Sequence, residues 1–146
     1  MRERGAEQTQ DRAVIELAES LARLVRRVRA ASDDHDLSLT ERSVLGRLNR
    51  DGAATTAELA RAEGMKPQSM GTIVARLEEQ GLVSRKPHAT DGRQFLIDLT
   101  SKGVAVRRSI RAAKESWITQ AVAQLSPQEQ KTLFAAGEIM RRMVQL

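Results

Sequence analysis

The hydrophobic period of this chain changes twice along its length, and that limits its fold more than any other feature. From residue 12 to residue 81 apolar side chains recur every three or four positions, the spacing of one helix side. Over residues 82 to 99 they alternate, as on a half-buried strand, and from residue 101 the helical spacing returns. The class this predicts is mainly α with one small β-hairpin.

The pattern resolves into elements. Residues 1 to 11 (MRERGAEQTQD) have no apolar period and read as a mobile polar arm. Val14, Leu17, Leu21, Leu24 and Val28 then form a helical stripe, widened by Ile15, Ala18, Ala22 and Val25, which ends before the Ser32–Asp36 turn because carboxylates oppose the dipole at a helix C-terminus. A short helix over about residues 40–50 turns Val44, Leu45 and Leu48 inward, with Ser38 or Thr40 as its cap. Thr55 and Glu58 have capping-box spacing and open a second, with Leu59 and Ala60 inward and Gly64 in the turn that follows. Pro67 suits the first position of a third, whose buried face is Met70, Ile73, Val74 and Leu77 and whose end is Gly81.

Two strands follow, residues 82–86 and 94–99, with Phe95, Ile97 and Leu99 alternating against Gln94, Leu96 and Asp98. The loop between them contains Asp91-Gly92, a strong turn signal. A long helix over residues 101–124 carries Val106, Ile110, Ala113, Trp117 and Ala121 on one stripe. Ser126, Pro127 and Glu129 then combine cap, first-position proline and capping box to open a last helix.

Composition narrows the function classes. The 146 residues hold three aromatics and no tyrosine, so a single-strand binder that stacks bases on aromatic platforms is disfavoured. With no cysteine there is neither disulfide nor thiolate chemistry. No apolar run exceeds four residues, so a membrane span is not expected, and a soluble, cytoplasmic protein is. The net charge of +5 hints at a polyanionic partner. Residues 101–146 hold 8 basic and 3 acidic side chains, whereas residues 37–100 hold 9 and 8, so the surplus is concentrated after residue 100.

Three short helices followed by a basic hairpin describe a winged helix-turn-helix. In that fold the third helix enters the major groove and the hairpin reaches beside it to phosphates or the minor groove. Between Lys66 and Leu77 there is no acidic residue. The candidate reading face is Lys66, Gln68, Ser69, Thr72 and Arg76: amide and hydroxyl groups can pair with base edges, and the cations with guanine or phosphate. The candidate wing residues are Arg85, Lys86, His88, Asp91 and Arg93.

Residues 37–103 resemble the DNA-binding core of the MarR family of bacterial transcription regulators. The resemblance rests on Leu39-Thr40, on the run from Thr55 to Ala60 with Gly64, and on the run from Leu77 to Arg85. It continues through Asp91-Gly92-Arg93 and the run from Leu99 to Gly103. It implies a homodimer whose terminal helices interlock, a pseudo-palindromic double-stranded DNA operator, and repression relieved by a small aromatic or anionic effector, whose pocket the resemblance does not locate. It also implies that Arg93 reaches toward the minor groove while Asp91 holds it in place. Two positions depart from the family pattern: Lys66 stands where a capping Ser or Thr is usual, and Gly92 where a second wing arginine is common. The expected organisation is an arm (1–11), a dimerisation helix (12–36), the winged core (37–100) and C-terminal dimerisation helices (101–146).

The terminal stripes point the same way without the family, because three short helices and a hairpin cannot cover them all. A metal site at His35 with Asp33, Asp34 and Asp36 is set aside, since contiguous loop residues seldom close a coordination sphere. Trp117 and Ile118 read either as core or as the lining of an effector pocket. No catalytic set and no cofactor motif is present, so an enzyme is not expected. The alternatives to a specific regulator are a nonspecific DNA-compacting protein and a helical interaction adaptor.

Overall fold

A computed structural model describes the backbone of residues 2–32 and 35–146, and the side chains of residues 9–32 and 35–146. The elements, in chain order, are α1 (Arg2–Ala30), α2 (Leu39–Asp51), β1 (Ala54–Thr55), α3 (Thr56–Ala62), α4 (Pro67–Glu79), β2 (Val83–Pro87), β3 (Phe95–Leu99), α5 (Ser101–Ala123) and α6 (Pro127–Met143). The chain divides into two compact units: Ser32–Ala112, and α1 together with α5 from Ala113 and α6.

The unit Ser32–Ala112 contains the core. Val44, Leu45, Leu59, Met70, Val74, Leu77 and Ile97 are fully buried, and Leu48, Ala60, Leu82, Val83 and Ile110 nearly so. Each fully buried aliphatic side chain contributes about 1.5–3 kcal/mol through removal of apolar area from water, so this cluster is what fixes α2, α3 and α4 on the sheet. The unit reaches beyond the expected 37–100 on both sides, because Ser32 is buried and its carbonyl accepts from Arg42 at one end, and the first turns of α5 enter the core through Val106 and Ile110 at the other.

The helix starts are set by side-chain caps. Ser38, Thr55 and Ser126 each accept the backbone N–H of the residue three positions on, and Glu41, Glu58 and Glu129 return the bond to the cap N–H. The end of α4 is set by Gly81, whose φ of 72° lies in the left-handed region that a Cβ disfavours.

Three expectations change. Residues 2–11 continue α1 rather than forming an arm; their Arg, Glu, Gln and Ala are good helix formers, and an apolar period reports a buried face rather than helicity. A third strand, β1, pairs antiparallel with β3 through Ala54↔Ile97 and Thr55↔Leu96, giving the order β1-β3-β2. At two residues it is too short to show a period. Alternation predicts Phe95 inward with Ile97 and Leu99, but Phe95 is 48% exposed, while Ile97 is fully buried. Phe95 is paired with Pro87 at the loop end of the hairpin.

In the other unit α1 and α6 keep their apolar faces uncovered. Leu17, Leu21 and Leu24 line an open groove of about 430 Å³ with Leu133, Ala136 and Met140. Val14, Ile15, Val25, Phe134, Ile139 and Met143 are also exposed. Trp117 is half-buried and Ile118 is 45% exposed, which assigns neither to a closed core.

Candidate nucleic-acid interface

The α3–α4 pair and the β2–β3 hairpin place two kinds of group on the surface. On α4, burial of Met70, Val74 and Leu77 turns the opposite side outward, where Gln68, Ser69 and Thr72 are exposed. These three side chains offer amide and hydroxyl groups of the types that pair with base edges. The helix begins at Lys66, which makes no side-chain cap bond, as expected from the loss of Ser or Thr there. Its ammonium stands at the positive end of the helix dipole, where an external anion would relieve the unfavourable interaction.

The wing tip is built by polar contacts within the loop. His88 Nδ1 accepts the backbone N–H groups of Thr90 and Asp91, each at 3.3 Å. The backbone N–H of His88 donates to the Gln94 carbonyl, and the backbone N–H of Gln94 to the Asp91 carbonyl, both at 3.0 Å. The Asp91 carboxylate accepts the Arg93 backbone N–H at 3.0 Å. Asp91 therefore holds the backbone of Arg93, not its guanidinium, and His88 acts on the shape of the loop.

The five candidate cations of this face divide into two groups. Arg85 is paired with Glu78 at 2.8 Å and Lys86 with Asp98 at 3.0 Å. Arg76 lies 3.3 Å from Glu41 and 3.4 Å from Asp36. Lys66 and Arg93 are exposed, and neither has an ion pair among the described residues. From the sequence all five look available to DNA. Three are partly neutralised by acids that lie between 7 and 40 positions away in the chain, too far for local patterning to reveal.

Elsewhere, Asn49, Val104, Arg107, Arg108 and Arg111 line a shallow cleft of about 160 Å³ between α2 and α5, which accounts for part of the basic surplus after residue 100. Asp33 and Asp34, candidate metal ligands, lie outside the described residues, and the His35 Nε2 is 3.3 Å from the Ser109 hydroxyl. No helix is long and apolar enough to cross a membrane among the described residues.

A scaffold helix, a turn-linked pair ending in an exposed polar helix, and a hairpin with a projecting cation define a winged helix-turn-helix protein. Residues 35–94 match the MarR family. An HTH-type transcriptional regulator of Mycobacterium tuberculosis is 33% identical over 129 residues, covering 88% of this chain and 90% of that protein. An HTH-type transcriptional repressor of the same organism is 31% identical over 104 residues, covering 71% and 75%. Among solved structures, a protein of Pseudomonas aeruginosa superposes with a TM-score of 0.80 at 31% identity, covering 92% of this chain and 95% of its own. The chain belongs to the MarR family, and it is a sequence-specific DNA-binding transcription regulator.

Proposed function

We propose that the protein is a homodimeric repressor that binds a pseudo-palindromic operator and is released from it by a small aromatic or anionic effector. The observation that carries this reading is the pairing of an acid-free polar face on α4 with two cations that have no ion pair among the described residues, Lys66 at its start and Arg93 on the wing. Gln68, Ser69 and Thr72 would read base edges in the major groove, Lys66 would meet a phosphate, and Arg93 would enter the neighbouring minor groove. The uncovered apolar faces of α1 and α6 supply the dimer surface, since a soluble monomer rarely leaves so many large apolar side chains in contact with water. The 31%-identical M. tuberculosis relative described as a repressor supports the sign of regulation.

Titration of the duplex recovered by selection, and of random duplexes, across salt concentrations tests the reading. A specific regulator keeps a preference of about 10³ or more for the selected site. Equal affinity for all duplexes would make it a DNA-compacting protein, and absence of binding an adaptor.

A further inference from the structure

The recognition helix is tied to the segment that leaves α1, and Arg76 is the tie. Glu41 is only 2% exposed, and one of its oxygens is used by the α2 capping box, accepting the Ser38 N–H at 2.7 Å. The other lies 3.3 Å from Arg76 Nε, and Arg76 is the only ion-pair partner of Glu41 among the described residues. A second guanidinium nitrogen, Nη2, reaches the Asp36 carbonyl at 3.2 Å and its carboxylate at 3.4 Å. Asp36 has φ 45°, the one left-handed non-glycine among the described residues, so the carbonyl that Arg76 holds belongs to a kinked residue. Arg42 grips the same segment, donating to the Leu37 carbonyl at 3.1 Å and to the Ser32 carbonyl at 3.2 Å.

We infer that Arg76 is a positioning residue, which orients α4 by bridging Glu41 and Asp36, rather than a group that contacts DNA. The inference rests on α4 being the recognition helix. A buried carboxylate needs its counter-charge, so moving Arg76 to a phosphate would leave Glu41 uncompensated. The bridge also needs a planar fork that addresses two acceptors at once, which an ammonium cannot supply. Ser32, Asp36 and Leu37, whose carbonyls Arg42 and Arg76 hold, lie at the N-terminal edge of the winged unit. A displacement of the Asp36 carbonyl must either carry α4 with it or break the bridge.

Two substitutions separate positioning from contact. Glu41→Gln keeps the capping box, because Gln serves there as well as Glu, but removes the charge. Arg76→Lys keeps a cation but removes the fork. Amide hydrogen exchange of the free protein should quicken at residues 35–38 and in the C-terminal half of α4 in both variants. Each should also lose about tenfold in affinity for the selected duplex. The double variant Glu41→Gln with Arg76→Gln should keep the wild-type salt slope, whereas removal of a cation that neutralises a phosphate would lower that slope by about 0.9. Wild-type exchange and affinity in Glu41→Gln, wild-type affinity in Arg76→Lys, or a reduced slope in the double variant would overturn the inference. Should the wild type prefer no duplex, the reading of α4 fails instead, and the exchange measurement still decides whether the bridge orders residues 35–38 and the helix.

Discussion

The Asp91 carboxylate accepts the backbone N–H of Arg93 at 3.0 Å and leaves the Arg93 side chain free to project from the wing. Arg93→Ala should therefore remove one cation from the phosphates or the groove without unfolding anything. Its affinity should fall for every duplex, and its salt slope by about 0.9 for each phosphate that Arg93 neutralises. Asp91→Ala retains the cation but releases the turn, so it should weaken binding while leaving the salt slope in place. Titrations across salt distinguish the two, and an Arg93→Ala variant that binds as wild type would show that the wing does not engage DNA.

Gly103 lies where α5 starts against the sheet. A Cβ built there would be 2.1 Å from the Leu82 carbonyl oxygen and 3.1 Å from Leu99 Cδ2, so backbone must move to admit one methyl group. Gly103→Ala should destabilise the winged unit by about 1–3 kcal/mol, in the range of overpacked sites, and chemical denaturation measures it. Unchanged stability would mean that the α5 start yields easily.

The Thr55–Glu58 cap has a pH signature. The Thr55 backbone N–H, and then its hydroxyl, hold the Glu58 carboxyl below its ordinary value of 4.5. The folded-state value is depressed, so the stabilisation is present above the ordinary carboxylate range and is lost as pH falls through the folded value. Thr55→Ala should cost about 1 kcal/mol at neutral pH, and should flatten the loss of stability on acidification below pH 4.5. Denaturant midpoints of both proteins between neutral and acid pH test this, and parallel curves would count against it.

Leu24 of α1 and Phe134 of α6 are 47% and 61% exposed, on faces assigned to the dimer. Charged replacements, Leu24→Glu with Phe134→Glu, should yield monomers in sedimentation equilibrium. The cooperative unfolding of the winged unit should persist, because neither residue belongs to its core. A dimer that survives both charges would place the interface elsewhere.

How much of the molecule is legible in its sequence depends on the distance over which each signal acts. The caps at Ser38, Thr55 and Ser126 and the stop at Gly81 are local, spanning three or four residues, and their residue types announce them. The core helices are readable because Leu45, Leu59, Met70 and Leu77 obey one period. The exposure of Phe95 is not, because alternation assigns a side but not how far the opposing layer extends. Nor is the engagement of Arg76, whose partner Asp36 is 40 residues away and meets it only after α2 and α4 have folded. The exposed polar face of α4 is therefore legible as a surface, while the division of the nearby cations into paired and unpaired among the described residues needs tertiary structure.

Two copies of the α4 and wing surface should read an inverted sequence, and in vitro selection of duplexes bound by the wild-type protein tests this most directly. Recovery of an inverted repeat with half-site centres about one helical turn, roughly 10 bp, apart is the result expected for a two-fold symmetric reader. Recovery of no shared sequence, or of a single unrepeated site, would contradict it.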